Sequence, residues 1–340
     1  MKNFIKVYLW LIAAILLSCN KLTDPIIPEN EFTKYENRYN ILFRHGVDLY
    51  SIYSDGTHLV RLTNSDAVKQ HATWSPDGSK IAFDFSSDLI TTDIRIMNSD
   101  GTNIRTISHN FSVAQYPQFT ADGKRIIFHG SDQITERLYS LNIDGSNQFP
   151  LQTESDYILN DFDVHPLEDK VVFQTRKNDT CCISEFDIAT SLSHKIFEGE
   201  NYIGDLIYSC DGLKIAYTTT GTTPVSHRDI YIINTDGSGK YKLTNFTSPY
   251  PIRMPVWSPD DSRIVFHVRK GDEYPLYVIN TDGSNLTEIA SYGRGQSWSP
   301  DITRISYWNF DTEIIIYDVE TGSKTKLTDG YDIEWSKTKI

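Results

Sequence analysis

The sequence predicts an all-β fold: a seven-bladed β-propeller of four-stranded antiparallel blades, the first blade closed by the C-terminal strand. Three observations carry this expectation. The stretch Trp74-Ser75-Pro76-Asp77-Gly78-Ser79-Lys80-Ile81-Ala82-Phe83 recurs along the chain. A second repeated hairpin, with an Asp-Gly turn in several copies, follows each first one. The apolar anchors that open the copies are residues 74, 119, 164, 208, 257, 298 and 335, spaced 37 to 49 residues apart. A period of that size with four strands per unit denotes propeller blades.

The first repeat reads as strand A, a tight turn and strand B. Pro76 presets φ for a turn, Asp77 and Gly78 follow it, and Gly78, Gly123 and Gly212 tolerate a positive φ. Ile81 and Phe83 then share one face while Ala82 takes the other, the period of a strand. Further copies are 119–128, 208–217, 257–266 and 298–307, and the stretch from Val164 to Phe173 is the most divergent. The second repeat, seen in Asp93–Thr102, Leu138–Ser146, Asp229–Ser238 and Leu276–Ser284, is strand C, an Asp-Gly turn and a short strand D such as Ile104–Ile107. The last anchor, Trp335, has no strand B after it. Asn40-Ile41-Leu42-Phe43 supplies that strand from the other end, Asp48–Gly56 supplies strand C and Leu59–Thr63 strand D. Tyr331–Ser336 therefore completes the blade that the N-terminus begins, and closure removes the exposed sheet edges.

Residues 1–18 read as an export signal: Lys2 and Lys6, then the apolar run Val7–Leu17, too short to span a bilayer. Leu16-Leu17-Ser18-Cys19 resembles a bacterial lipobox, which implies lipidation of Cys19 and a membrane anchor. Residues 19–39, with Pro25 and Pro28, read as a tether, and 40–340 as the propeller. The formal net charge of −13 without a basic block argues against nucleic acid as a partner. No helical periodicity follows residue 18. Cys181 and Cys182 fall at the start of a strand C and Cys210 in an A–B turn, on opposite faces of a blade, so these cysteines are expected to be unpaired.

The Trp-Ser-Pro-Asp turns with [Lys/Arg]-[Ile/Val]-x-[Phe/Tyr] resemble the WD-like repeats of the TolB family, over roughly residues 40–340. The resemblance implies a periplasmic setting near the outer membrane; TolB-type proteins partner the peptidoglycan-associated lipoprotein. It departs from the TolB pattern in counting seven blades rather than six and in having a short tether instead of an α/β domain. Similar repeats occur in the propellers of prolyl-oligopeptidase-like enzymes and of oligogalacturonate lyases, so the repeat identifies a scaffold and the function rests on a site.

No Gly-x-Ser-x-Gly nucleophile motif is present, and the recurring Asp-Gly turns read as hairpin chemistry rather than as calcium loops. No metal or cofactor is expected. The histidines are scattered; His129 and His267 follow strand B as rim or packing residues, and His165 replaces the turn Ser. The candidate site is the channel mouth, ringed by residues that enter strand A: Gln70 and His71, Gln115 and Tyr116, Asn160 and Asp161, Asp205, Arg253, Arg294 and Gln296, Tyr331 and Asp332. Within this ring His71, Tyr116, Asp161, Asp205, Arg253, Arg294 and Asp332 are the expected ligand-binding residues, with Tyr157, Tyr202, Tyr250 and Tyr292 in the adjoining loops. Asp161, Asp205 and Asp332 are expected near Arg253 and Arg294. The expected function is that of a non-catalytic, monomeric envelope lipoprotein binding a protein, glycan or peptide; the alternative is a carbohydrate-active lyase or hydrolase working at the channel mouth.

Overall fold

The computed structural model describes residues 38–340 except 89, 132–135, 152–157, 178–179, 201, 221–227 and 247–249. The expected signal, Cys19, most of the tether and Tyr157 lie outside the described residues. Seven four-stranded antiparallel sheets form the blades, and no helix occurs among the described residues.

Blade 1 joins the two ends of the chain. Tyr331–Lys339 is its inner strand, followed outward by Tyr39–His45, Asp48–Tyr53 and Val60–Arg61. Trp335 lies opposite Ile41 and Glu334 opposite Leu42. The closing strand runs past the expected Ser336 because the pairing resumes at Tyr39 with Lys339, and Ile340 N–H donates to Arg38 O. The other blades follow in chain order from Val68–Trp74 to Lys324–Asp329. Two outer strands are shorter than expected, Val60–Arg61 and Arg105–Thr106 with two residues each, and Tyr241–Lys242 is as short. Hydroxyls end them early, since Leu49 N–H donates to Thr63 Oγ1, Ile94 N–H to Ser108 Oγ and Ile230 N–H to Thr244 Oγ1. Each hydroxyl takes a strand C donor that a longer ladder would have used.

The A–B turns follow one scheme on five blades. In blade 2, Ser75 Oγ donates to Asp77 Oδ1 and accepts from Lys80 N–H, while Ser79 N–H donates to Asp77. The groups Thr120/Asp122/Arg125, Ser209/Asp211/Lys214, Ser258/Asp260/Arg263 and Ser299/Asp301/Arg304 repeat it. The turn aspartates lie below the usual carboxylate range because they accept these hydrogen bonds. No disulfide forms among the described cysteines: Cys181 and Cys182 are buried, and Cys210 is exposed.

Neighbouring blades pack through the strand A anchors, of which Trp74, Phe119, Tyr208, Trp257, Trp298 and Trp335 are buried. The divergent Val164 is half-buried. Each junction also carries a hydrogen bond close to the channel. Trp74 N–H donates to Glu334 Oε1, Tyr116 N–H to Asp84 Oδ1, Val164 N–H to Gln118 Oε1 and Tyr208 N–H to Asp163 Oδ2. At the remaining junctions the indole N–H groups of Trp257, Trp298 and Trp335 donate to Ile207 O, Val256 O and Ser306 Oγ. The ring is thus latched all the way round.

Candidate functional site

Strand A meets strand B through an irregularity that recurs from blade to blade. In blade 2, Gln70 pairs with Asp84 and Thr73 with Ala82, so His71 and Ala72 oppose the single residue Phe83. This is a β-bulge, which bends the strand and re-aims a side chain. Its first residue has a positive φ on six blades: His71, Tyr116, Asp205, Met254, Gly295 and Asp332, between +45° and +58°. Each stands three residues before its anchor. Asp161 holds the equivalent place in blade 4, where the pairing also shifts between Ile158 and Phe162. A left-handed backbone costs a non-glycine residue roughly 1–2 kcal/mol. Its repetition at one level creates a ring of re-aimed side chains around the channel mouth.

Five of the seven expected ligand-binding residues, His71, Tyr116, Asp161, Asp205 and Asp332, are these bulge positions. Arg253 and Arg294 each stand one residue earlier, opposite His267 and Trp308. The side chain of Asn160 is outside the described set. Tyr250 packs on a core cluster with Trp257 and Phe266.

The ring has an acidic sector and a basic, aromatic one. Asp161 is pushed up to about 6 by burial and by the neighbouring Asp205 carboxylate, against the pull of the Asp205 N–H, Arg253 and Arg228. Asp205 accepts a hydrogen bond from Thr218 Oγ1 at 2.8 Å and lies 3.9 Å from Arg253 Nη1. Arg228 donates to the Tyr202 hydroxyl at 2.8 Å, with its guanidinium 3.8 Å from that ring. Burial raises the Tyr202 phenol. His71 Nδ1 lies 2.6 Å from Asp84 Oδ2 and its ring stacks 4.0 Å from Tyr116. Burial holds the Asp84 carboxyl above the usual range despite the His71 contact.

Asp332 and Arg294 take other partners. Asp332 pairs with Arg44 Nε at 3.0 Å, and that guanidinium covers the Tyr331 ring at 4.3 Å. Arg294 lies between two aromatic faces, 4.8 Å from Tyr274 and 5.0 Å from Trp308. The aromatic arc continues through Tyr292, whose ring lies 5.3 Å from Tyr274 and 5.6 Å from the exposed Phe310. Blade 7 makes room for this arrangement with Gly295, where a Cβ would stand 2.7 Å from the Trp308 indole nitrogen. Gln296 sits below, donating to Met254 O and facing His267 Nδ1. Burial drives His267 down to about 4, so the ring is neutral.

Sequence reasoning missed Asp84, Arg44 and Trp308. All three directly follow the strand B aromatic, as do His129, Thr218 and His267. That slot forms a second ring, paired across the sheet with the residue just before each bulge. The place after [Lys/Arg]-[Ile/Val]-x-[Phe/Tyr] was the available signal.

Comparison with known proteins agrees with this architecture. TolB from Acinetobacter baumannii superimposes with a TM-score of 0.57 at 15% identity, over 89% of this chain and 67% of that one. Oligogalacturonate lyase from Vibrio parahaemolyticus gives a TM-score of 0.61 at 14% identity, over 86% of this chain and 85% of the other. At such identities the likeness is one of fold. In sequence, 164 residues are 27% identical to a Bacillus subtilis protein described as uncharacterized peptidase YuxL; the match covers 46% of this chain and only 23% of that protein. The model of the TolB beta propeller domain matches residues 74–248, half of the chain. On that match and the seven latched blades, the chain belongs to the TolB β-propeller domain family.

Proposed function

We propose that the protein is a non-catalytic binding scaffold of the cell envelope that takes an anionic ligand, an acidic sugar or a peptide carboxylate, at the channel mouth. The observation that carries this reading is the Arg294 guanidinium held between Tyr274 and Trp308, with Arg253 on the next blade. Aromatic faces hold the guanidinium plane without using its N–H groups; with Nε buried, the two terminal nitrogens are the pair that would grip a carboxylate with parallel hydrogen bonds. The expected result of replacing Arg253 and Arg294 together by Ala is loss of ligand binding with little change in melting temperature. The measurement is a screen of envelope glycans and peptides against both proteins. Equal binding by the two would refute a ligand site on these arginines.

The envelope setting rests on the family resemblance and on the Cys19 motif. Labelled palmitate should enter the wild-type protein and not Cys19→Ser, with the label in the membrane fraction. A wholly soluble, unlabelled wild type would remove the lipid anchor from the proposal. Attachment at the outer membrane, facing periplasm or cell surface, belongs to the same reading.

One observation favours an enzymatic second reading, that of a carbohydrate-active lyase or hydrolase. Asp161 is raised to about 6 by burial and by the neighbouring Asp205 carboxylate at the mouth, and a carboxyl perturbed in this way suits acid–base chemistry. Turnover of a bound glycan that Asp161→Asn abolishes without weakening binding would establish this reading over the scaffold.

A further inference from the structure

We propose that the cleft between blades 4 and 5, on the face opposite the mouth, is a second binding site, for a segment of a partner protein carrying Lys or Arg beside aliphatic residues. The cleft measures about 300 Å³ and is formed by the A–B turns of the two blades and a neighbouring C–D turn.

Its rim departs from the repeat in a way that turn chemistry does not require. Leu167 occupies the slot that holds Asp77, Asp122, Asp211, Asp260 and Asp301 in other blades. Leu213 occupies the slot of Ser79, Lys124, Ser262 and Thr303. Both leucines line the cleft, and they are 67% and 63% exposed. His165 takes over the work of the missing turn residues. Its Nδ1 accepts from Leu167 N–H at 3.2 Å and Glu168 N–H at 3.0 Å, and its Nε2 donates to Gly212 O at 3.1 Å. Two donors on Nδ1 require the neutral ring, and burial lowers its affinity for a proton in the same direction. Gly212 is needed for this contact, because a Cβ there would stand 2.2 Å from the imidazole. The turn is therefore rebuilt around His165, leaving Leu167 without a role inside the turn.

The floor is charged. Glu185 is only 5% exposed, and its Oε1 accepts from the Tyr208 hydroxyl at 2.8 Å. Its Oε2 lies 3.8 Å from both Lys170 Nζ and His194 Nε2, too far for a hydrogen bond. Lys170 is drawn instead to Glu168 at 2.6 Å. Four lining carboxylates, Glu168, Glu185, Asp211 and Asp236, face the single lysine Lys170. Burying this negative excess favours a cationic guest. The two leucines supply an apolar rim for aliphatic neighbours of that cation. Charge and rim together select a Lys–Leu or Arg–Leu segment over an acidic or a purely apolar one.

The experiment is titration calorimetry of the folded protein with acetyl-Gly-Leu-Lys-Leu-Gly-amide and with the same peptide carrying norleucine in place of lysine. The lysine peptide should bind about tenfold more tightly and weaken as salt rises. Leu167→Ser with Leu213→Ser alters only exposed side chains, and Glu185→Gln retains an acceptor for Tyr208; each should lower affinity about tenfold at unchanged melting temperature. Arg253→Ala with Arg294→Ala should bind the peptide as the wild type does. Equal binding of both peptides, unaltered binding by the leucine variant, or absence of binding overturns the proposal. Loss in the arginine variant alone would place the peptide at the mouth and refute the cleft while leaving the mouth reading standing.

Discussion

Trp335→Ala is expected to lower stability by about 3–5 kcal/mol, as truncation of a large buried aromatic does. Trp335 is 4% exposed, in a cluster containing Ile41, Phe43, Ile52, Ile314, Ile316 and Leu327. These residues come from the first blade and the last, so the indole fills the joint that closes the ring. Its N–H also donates to Ser306 Oγ at 2.8 Å, and the Tyr39 ring meets it edge-on at 6.2 Å. Trp335→Phe, which retains much of the apolar contact but no donor, should cost less than the Ala variant. Urea denaturation of the three proteins measures both effects. A loss below about 1 kcal/mol for the Ala variant would mean that the ring does not depend on this joint.

Glu334→Gln is expected to stabilise the propeller by roughly 1–3 kcal/mol at pH 8 and to have little effect near pH 4.5. Glu334 accepts from Thr73 Oγ1 and Trp74 N–H across the junction of blades 1 and 2. Burial pushes its carboxyl up to about 7, with Thr73 and Lys337 pulling the other way. The native state therefore binds this proton more tightly than the unfolded chain does. The contribution is intact below the ordinary Glu value and is lost as pH rises through about 7. Gln makes the same contact without a charge, as Gln118 already does toward Val164 N–H in blade 3. Asp163 follows the same rule at the junction of blades 4 and 5, where burial raises it to about 7. His267, buried and neutral, has the opposite slope below its ordinary value, so the informative quantity is the variant minus the wild type at each pH. A difference that stays constant between pH 5 and 8 would show that Glu334 is charged throughout.

Blade count, strand order and the closure between Ile41–Phe43 and Trp335 were legible in the sequence. Each depends on local chemistry: Pro, Asp and Gly specify the turns, and period-2 alternation specifies the strands. The channel mouth was legible in outline, since strand A must line the channel and its entering residues must ring one end. The partners were not. Arg44 precedes Asp332 by most of the chain length, yet the two meet because closure places them in one blade. Arg294 turned to Tyr274 and Trp308 rather than to an Asp because Gly295 leaves space for the indole.

The sequence by itself determined the repeating unit, the number of units and which ends join, because these follow from short-range turn preferences and a fixed period. Only the tertiary structure decided which side chains meet. The positive-φ bulge that re-aims His71, Tyr116, Asp205 and Asp332 leaves no pattern in residue type, since it falls on His, Tyr, Asp, Met and Gly alike. Burial at the junctions set the protonation of Glu334, Asp163 and His267, and burial is a property of the closed ring. The cleft of blades 4 and 5 arose in the same way: Leu167 and Leu213 are 46 residues apart in sequence and share a site only because adjacent blades set their turns side by side.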